Sequence, residues 1–382
     1  MKWEKKPLTD FVWFQRGFDL PKDKFVNGEF PVVGSTSILG YHTEAKVKAP
    51  GIVTGRSGTI GQFQYLKNDF WPHNTSLWVK DFYGNDERFA FYLLHTLDFI
   101  SLNGGGAVPS LNRNFLSSIN VNVPPLPTQR KIASILSAYD DLIENNLKRI
   151  KLLEEKAQLH YKELMQEMSY SKTKREEYIK DCLAFYIGGG WGEEDYKEGF
   201  TEPAFVIRGT DIPDAKKGEV KGVPFRYHKE SNLASRNMQA GDIVFEVSGG
   251  SKGQPVGRSI LITEKMLQQF GKPVMCASFC KMLRPNENIT PEFFYLYLFA
   301  SHENGVIAQY EKHSASNIVN YGFEEFIGEQ KITIPKESEL KAFTEKVKPI
   351  FTLISTLGEQ NSKLREARDI LLPKLMNGQI EV

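Results

Sequence analysis

The feature that most constrains this chain is a pair of matching heptad patterns. From Ile132, apolar residues with two polar interruptions recur at alternating steps of four and three, and the alternation starts again at Phe343, 211 residues later. Such spacing is typical of coiled-coil helices, whose a and d positions face a partner helix. Each pattern covers about 40 residues, or about 60 Å of helix at ~1.5 Å per residue. The sequence therefore predicts two long helices one repeat apart.

Each heptad pattern gives its helix an apolar stripe, which we call a seam. Two matching seams in one chain can both be buried most simply if the two helices pair with each other. Each contains an asparagine, Asn146 or Asn361, of the kind that can fix the register of a coiled coil. Pro349 and Pro373 lack a backbone N–H, so we expect them to kink or break the second helix near its start and its end. The alternative is that each helix packs only on its own domain. The predicted seam residues are Ile132, Leu136, Ile143, Ile150, Leu153, Phe343, Val347, Ile350, Ile354, Leu357 and Leu364.

The segments ahead of the two helices also match. Residues 87–94 and 291–298 are rich in Phe, Tyr and Leu and predict one helix in each copy. Each copy then ends in a short helix and an alternating strand that a proline stops, Pro124 or Pro335. Gly-Ile-Val at residue 51 parallels Gly-Asp-Ile-Val at residue 241. The sequence thus predicts an α+β protein with an internal repeat, whose architecture recurs while its polar loop residues differ.

Composition bounds the class of protein. A length of 382 residues suits two or three domains, and 41% hydrophobic with 25% charged residues is typical of a folded globular chain. Three cysteines without paired spacing indicate a reducing compartment, and we expect a soluble, cytoplasmic protein because no apolar segment is long enough to span a membrane. The net charge of +1 means that a nucleic-acid surface would have to be local.

Motifs for catalysis are missing from the sequence. The glycine clusters at residues 55–61, 104–106, 188–190 and 249–253 fit neither G-x-x-x-x-G-K-[ST] nor a G-x-G-x-x-G between strand and helix, so turns and bulges are the better interpretation. Cys276 and Cys280 lack a second pair and predict buried residues rather than a metal site. There is also no H-E-x-x-H, no nucleophile elbow with partners, and no Asn-Pro-Pro-Tyr type tetrapeptide of base-amine methylation. We therefore expect no catalytic residue and no metal in this chain.

A duplicated binding surface is the remaining interpretation. Arginine can engage guanine through two hydrogen bonds, asparagine can engage adenine, and glycine lets a backbone approach closely. The DNA-binding candidates of the first copy are Ser35, Thr36, Ser37, Arg56, Ser57, Thr59, Asn74, Asn112 and Arg113. Those of the second copy are Arg208, Thr210, Ser248, Ser251, Lys252, Arg258, Ser314, Ser316 and Asn317.

The layout of variable domain, long helix, variable domain and long helix resembles the specificity (HsdS) subunit of type I restriction-modification systems. The junction Val-Pro-Pro-Leu-Pro-Thr-Gln-Arg-Lys-Ile at residues 123–132 is similar to the family's proline-rich strand exit and the start of its conserved helix. The second junction departs from this pattern, because Leu340 stands where the first copy has Gln129. The resemblance covers essentially the whole chain.

The resemblance implies two α/β target recognition domains, separated by two long conserved helices that pair as an antiparallel coiled coil with a pseudo-two-fold repeat. It implies recognition domain 1 at residues 1–127, the central helix at 128–170, recognition domain 2 at 171–338 and the C-terminal helix at 339–378. Each domain would recognise one half of a bipartite target in double-stranded DNA. The helices would set the spacer and dock two methyltransferase (M) subunits and, through them, restriction (R) subunits. S-adenosylmethionine, ATP and Mg would belong to those partners, with no cofactor in this chain.

Two other classes of function stay open at this point. The chain could be a coiled-coil scaffold for protein partners that does not bind DNA, which differs from a specificity subunit in the salt dependence of binding, because phosphate contacts weaken steeply as salt rises. It could also be a stand-alone nuclease or methyltransferase with unrecognised motifs. Activity of the purified chain with metal or methyl donor would indicate that third class.

Overall fold

The computed structural model describes residues 3–57, 59–99, 101, 111, 113–170, 174–249, 255–313 and 319–382. The chain divides into two compact units. Unit 1 consists of Met1–Asp141 and Leu364–Val382, and unit 2 consists of Leu142–Lys363. Both long helices are shared by the two units along the sequence, since the unit boundaries fall inside them.

Unit 1 begins with strands and contains one short helix before the first long one. Its strands are β1 (Glu4–Pro7), β2 (Trp13–Arg16), β3 (Phe30–Val33), β4 (Ile38–His42), β5 (Gly51–Gly55), β6 (Phe63–Leu66), β7 (Trp71–Pro72), β8 (Ser76–Asp81) and β9 (Asn120–Val123). Its α-helices are α1 (Glu87–His95), the first part of α2 (Leu126–Ser169) and the C-terminal part of the second long helix.

Unit 2 repeats this order with additional short elements. Its strands are β10 (Arg175–Tyr178), β11 (Leu183–Gly188), β12 (Glu202–Ile207), β13 (Phe225–His228), β14 (Ile243–Glu246), β15 (Ser248–Gly249), β16 (Ser259–Leu261), β17 (Val274–Cys276), β18 (Cys280–Pro285), β19 (Glu311–His313), β20 (Val319–Tyr321) and β21 (Lys331–Ile334). Its helices are α3 (Ile212–Lys216), α4 (Glu230–Arg236), α5 (Glu264–Phe270), α6 (Pro291–Glu303), α7 (Phe323–Glu329) and most of α8 (Glu337–Met376).

Each described sheet of unit 1 has a strand-for-strand counterpart in unit 2, which also contains a three-stranded sheet of the order β15-β20-β19. A four-stranded sheet has the order β2-β8-β5-β6 in unit 1 and β11-β18-β14-β16 in unit 2. A three-stranded sheet has the order β4-β3-β7 or β13-β12-β17, with one antiparallel and one parallel pair in each unit. The ladders β1–β9 and β10–β21 also correspond. The predicted α+β fold with an internal repeat is therefore confirmed.

Apolar sequence runs explain the central strands. The residues of β5 and β14 are buried throughout, as expected for strands with a hydrogen-bonded neighbour on each side. In unit 1 the main core joins α1 and the sheet to Ile132 and Leu136 of α2 and to Leu375 of α8. In unit 2 the main core joins α6 and α7 to both long helices, with Ile150 and Val347 among its members. The long helices are thus integral parts of both cores.

The predicted antiparallel coiled coil is present. Among the predicted seam residues, Leu153 and Leu364 are half-buried and the other nine are buried. Within unit 2, Asn146 Nδ2 donates to Asn361 Oδ1 at 3.0 Å, and both side chains are buried. Within unit 1, Arg368 Nη1 donates to Asp140 Oδ1 at 2.6 Å. The seam therefore contains one polar pair and, nearer the start of α2, one ion pair.

The expected break of the second helix is wrong, whereas a kink at either proline stays a prediction. Helix α8 continues through both Pro349 and Pro373, so neither proline breaks it. Val347 and Ile350 on either side of Pro349 are buried in the core of unit 2. Their packing holds the backbone helical although one hydrogen bond is lost at the proline. The domain boundaries at residues 127, 170, 338 and 378 stay a prediction.

Candidate nucleic-acid interface

Four loop segments of unit 1 meet at one end of its sheets. Backbone hydrogen bonds join Gly17 N to Ser76 O at 3.0 Å, His73 N to Val33 O at 2.9 Å, and Arg56 N to Thr75 O at 2.9 Å. The segments that follow β2, β3, β5 and β7 are thereby fixed to one another. We call this group of loops site 1; it comprises residues 17–19, 34–37, 55–57, 59 and 73–75.

Unit 2 has the same backbone arrangement. Gly189 N donates to Cys280 O at 2.9 Å, Ala277 N to Ile207 O at 2.8 Å, and Val247 N to Phe279 O at 2.9 Å. These bonds follow the equivalent strands β11, β12, β14 and β17. Site 2 accordingly comprises residues 189–191, 208–211, 246–249 and 277–279, together with Arg258.

An equivalent glycine allows a close backbone approach in each site, Gly17 in site 1 and Gly189 in site 2. A Cβ on Gly17 would lie 2.1 Å from His73 O, and a Cβ on Gly189 would lie 2.2 Å from the carbonyl oxygens of Ala277 and Cys276. Both obstacles are backbone atoms, which cannot move aside as a side chain can. Only glycine allows this close approach.

Polar candidates of unit 1 are brought together in site 1. Ser35 Oγ lies 2.9 Å from Thr75 O and 3.1 Å from Ser57 O, so this hydroxyl joins two loops. Arg56 Nε donates to Asn74 O at 3.2 Å, while the Asn74 amide donates to Asp19. The remaining candidates in these loops, Thr36, Ser37 and Thr59, are exposed. Site 1 therefore combines one arginine with small hydroxyl side chains, a set suited to phosphate or base-edge contacts.

Candidates of unit 2 line a single cleft of about 530 Å³. Its lining includes the four candidates of this unit that the structure describes, which are Arg208, Thr210, Ser248 and Arg258. The structure thus brings together residues that are up to 50 positions apart in the sequence. The cleft is the most concentrated group of predicted residues in the described part of unit 2.

Carboxylates hold both arginines of the cleft. Arg258 donates from Nε to Glu246 Oε2 at 2.8 Å and from Nη2 to Glu246 Oε1 at 2.5 Å. Arg208 donates from Nε and Nη2 to the two oxygens of Asp211 at 2.9 and 2.7 Å. Hydrogen bonds to these carboxylates raise the pKa of each guanidinium above its usual value. Both arginines are therefore charged and fixed in orientation.

Two exposed aromatic side chains in the cleft were not predicted. Phe279 is 66% exposed and Trp191 is 39% exposed, and both line the cleft. Arg226 lies beneath Trp191, with its Cζ 4.7 Å from the ring centroid. The three glycines before Trp191 predict a turn, and a tryptophan directly after them is the signal that points to an exposed ring. Glu246 and Asp211 were missed because their role depends on the arginines that they bind.

Several candidates stay untested. Asn112, Ser251, Lys252, Ser314, Ser316 and Asn317 lie outside the described residues, as does the side chain of Arg113. Within the described ranges, no group of three or more His, Cys, Asp or Glu side chains could hold a metal ion. None of the helices in the described ranges has both the length and the apolar character that crossing a membrane requires.

Comparison with known proteins shows which proteins this chain is similar to. Residues 1–155 match the model of the type I restriction modification DNA specificity domain. The type I restriction enzyme MjaIX specificity subunit of Methanocaldococcus jannaschii is 28% identical over 436 residues, covering 100% of this chain and 94% of that protein. The HindI specificity subunit of Haemophilus influenzae is 24% identical over 341 residues, covering 74% and 73% of the two chains.

A solved structure shares the fold over nearly the full length. The crystal structure of the type I restriction-modification S subunit from M. genitalium matches with a TM-score of 0.62 and 17% identity, covering 98% of this chain and 96% of that chain. Over its full length, this chain is therefore similar to type I restriction-modification specificity subunits, and its first 155 residues match their DNA specificity domain.

Proposed function

We propose that this chain is the non-catalytic subunit that selects the DNA sequence for a type I restriction-modification complex. Each unit recognises one half of a bipartite target in double-stranded DNA, using site 1 or site 2. The observation that carries this proposal is the repetition of one backbone arrangement with two different sets of polar side chains. A fixed frame with exchanged side chains is what two different half-sites require, because base edges are distinguished by donor and acceptor patterns.

The long helices are proposed to set the spacer between the half-sites and to dock partner subunits. The buried Asn146–Asn361 pair supports a fixed helix register, since an unpaired amide in either shifted register would be costly. Leu142, Leu152 and Leu159 of α2 are more than half exposed and are available for contact with methyltransferase (M) subunits. Restriction (R) subunits would bind through M. S-adenosylmethionine, ATP and Mg²⁺ serve the reactions of those partners.

The experiment is co-expression with the methyltransferase subunit of the same system, followed by single-molecule mapping of N6-methyladenine with and without this chain. We expect two short defined blocks around an unread spacer, methylated only when this chain is present. Unchanged methylation despite a stable complex would favour the scaffold alternative. Salt dependence of DNA binding separates the two as well, because phosphate contacts release counterions.

Spacer control can be tested in the same assay. Deleting or inserting one heptad between Ile143 and Ala157, with the matching change in α8, should alter the tolerated spacer and leave both half-sites unchanged. The physical reason is that a heptad preserves the seam while changing helix length by about 10 Å. An unchanged spacer would contradict this part of the proposal.

A further inference from the structure

One edge of the Arg258 guanidinium donates hydrogen bonds to a carboxylate, and the donors of its other edge are open to a ligand. Its Nε and one N–H of Nη2 bind the two oxygens of Glu246. Nη1 and the second N–H of Nη2 have no partner among the residues that the structure describes. The side chain is 28% exposed and lines the cleft of site 2. Arg258 therefore presents an intact pair of parallel donors to that cleft.

Arg208 does not offer the same pair. Its Nε and Nη2 bind Asp211, and Nη2 also donates to Gly222 O at 3.3 Å. The second N–H of Nη2 is thereby engaged, so one donor of the end edge is already used. Of the two arginines in the cleft, Arg258 is the one with a complete two-donor edge.

Glu246 is built into the fold in a way that fixes Arg258. Its side chain is only 3% exposed, and it extends from the last residue of β14. Backbone bonds hold the two residues together, with Glu246 N donating to Arg258 O at 2.9 Å and Gly257 N donating to Glu246 O at 3.1 Å. A Cβ on Gly209 would lie 2.4 Å from Glu246 Oε1, so glycine leaves the space that the carboxylate needs. Arg258 is consequently ordered before any ligand arrives, which lowers the entropy cost of binding.

Two parallel donors match the major-groove edge of guanine. Guanine presents two acceptors there, O6 and N7, whereas adenine presents one acceptor and one donor. The single arginine of site 1, Arg56, binds a backbone carbonyl and has no carboxylate partner among the described residues. An arginine that a carboxylate holds in place, with two parallel donors left over, thus distinguishes site 2 from site 1 among the described residues.

We propose that Arg258 recognises a guanine in the half-site of unit 2 and that Glu246 is the positioning residue that orients it. This inference rests on the proposed function and deepens it, because it names a base at one position of one half-site. It predicts that the half-site of unit 2 contains a G·C pair whose replacement is not tolerated.

The test uses the complex of this chain with its methyltransferase subunit. In the methylation map, Arg258→Lys should relax the preference for one guanine by about 10-fold to 100-fold, since lysine keeps the charge but loses the two-donor geometry. Glu246→Gln should relax the same position by a smaller factor. Arg284→Lys is the matched control, because Arg284 donates in the same way to the two oxygens of Asp242 but lies outside site 2, and it should leave that position unchanged. The half-site of unit 1 should be retained in all three variants.

A second measurement uses the unaltered complex and duplexes carrying 7-deazaguanine, which lacks the N7 acceptor but pairs normally. One substituted position in the half-site of unit 2 should lower the methylation rate about 10-fold. A half-site without guanine, or full activity at every 7-deazaguanine position, would overturn the inference. Absence of any bipartite methylated motif in the unaltered complex would instead overturn the proposed function.

Discussion

Site 1 and site 2 have the same pattern of backbone hydrogen bonds between their loops. The side chains at equivalent positions of the two sites differ in nearly every case. The same hydrogen bonds align Gly34 with Arg208 and Gly55 with Glu246, so one member of each ion pair of site 2 is a glycine in site 1. Thr75 aligns with Phe279, and Asp19 with Trp191. The comparison shows how one fold can present two chemistries: the frame fixes positions, and the side chains on it are interchangeable.

The two units also differ outside the sites, at the junction where each long helix begins. Gln129 is buried in unit 1, where it accepts from Asp86 N at 2.9 Å and donates to Asn85 Oδ1 and Pro124 O, each at 2.9 Å. Leu340, its counterpart in unit 2, is buried in an apolar core. The side chain at this junction is therefore buried in both units, with polar partners in unit 1 and apolar neighbours in unit 2.

The largest expected effect on stability comes from the two equivalent glycines of the shared frame, Gly17 and Gly189. Gly17→Ala and Gly189→Ala should each destabilise their own unit by about 3 kcal/mol, because the added methyl group meets backbone carbonyls that cannot yield. Thermal unfolding should show a loss of roughly 10 °C for that unit. Gly188→Ala is the matched control, since nothing lies within 4 Å of its Cβ position. Equal stability of Gly188→Ala and Gly189→Ala would mean that the loops do not approach as described.

Substitution of the buried junction residues Gln129 and Leu340 should change the free energy of unfolding by an intermediate amount. Gln129→Leu should cost unit 1 about 2 kcal/mol, because the Asp86 N–H loses its acceptor inside the protein. Leu340→Gln should cost unit 2 a similar amount, since it places an amide in an apolar core without partners. Denaturant unfolding of the two variants measures both. A neutral result for Gln129→Leu would indicate that this residue serves a partner instead.

The smallest expected effect is on the pH dependence of stability, and it concerns two histidines at equivalent strand positions. His42 and His228 occupy the same register, opposite Phe30 and Glu202. His42 accepts from Glu44 N at 3.0 Å, whereas His228 is fully buried and neither ring nitrogen has a partner among the described residues. Burial lowers the pKa of His228 below its usual value.

Because the pKa of His228 is lower in the folded state, the unfolded chain takes up a proton there first, once the pH falls below about 6.5. The contribution of the neutral, buried histidine to stability is therefore present above this pH and is lost as the pH falls. Unit 2 should therefore lose stability between pH 7 and pH 5, and His228→Leu should lose less over the same range. Unfolding curves at the two pH values measure the difference. An unchanged pH dependence in His228→Leu would show that other groups cause it.

Long-range periodicity made much of the fold predictable. The heptad seams predicted both long helices and their pairing, because a core-facing stripe follows directly from residue spacing. The effect of Pro349 was misjudged because local backbone chemistry does not report the packing around it. Tertiary context overrode the local preference at this position.

The candidate sites were predictable in composition but not in geometry. Arg208 and Asp211 are three residues apart, yet Glu246 and Arg258 are brought together only by the pairing of β14 with β16. Trp191 and Phe279 gave no periodic signal, and their exposure depends on loops from different strands. Side chains that meet through strand register cannot be paired from sequence spacing alone.

The central claim is that each unit recognises its own half-site through its own loops. It is tested most directly by mapping N6-methyladenine for two matched double variants, Thr36→Ala with Arg56→Ala in site 1 and Thr210→Ala with Phe279→Ala in site 2. We predict that each pair changes or weakens one half-site, a different one for each pair, and leaves the other intact. Simultaneous alteration of both half-sites by either pair, or no alteration by both pairs, would contradict the account.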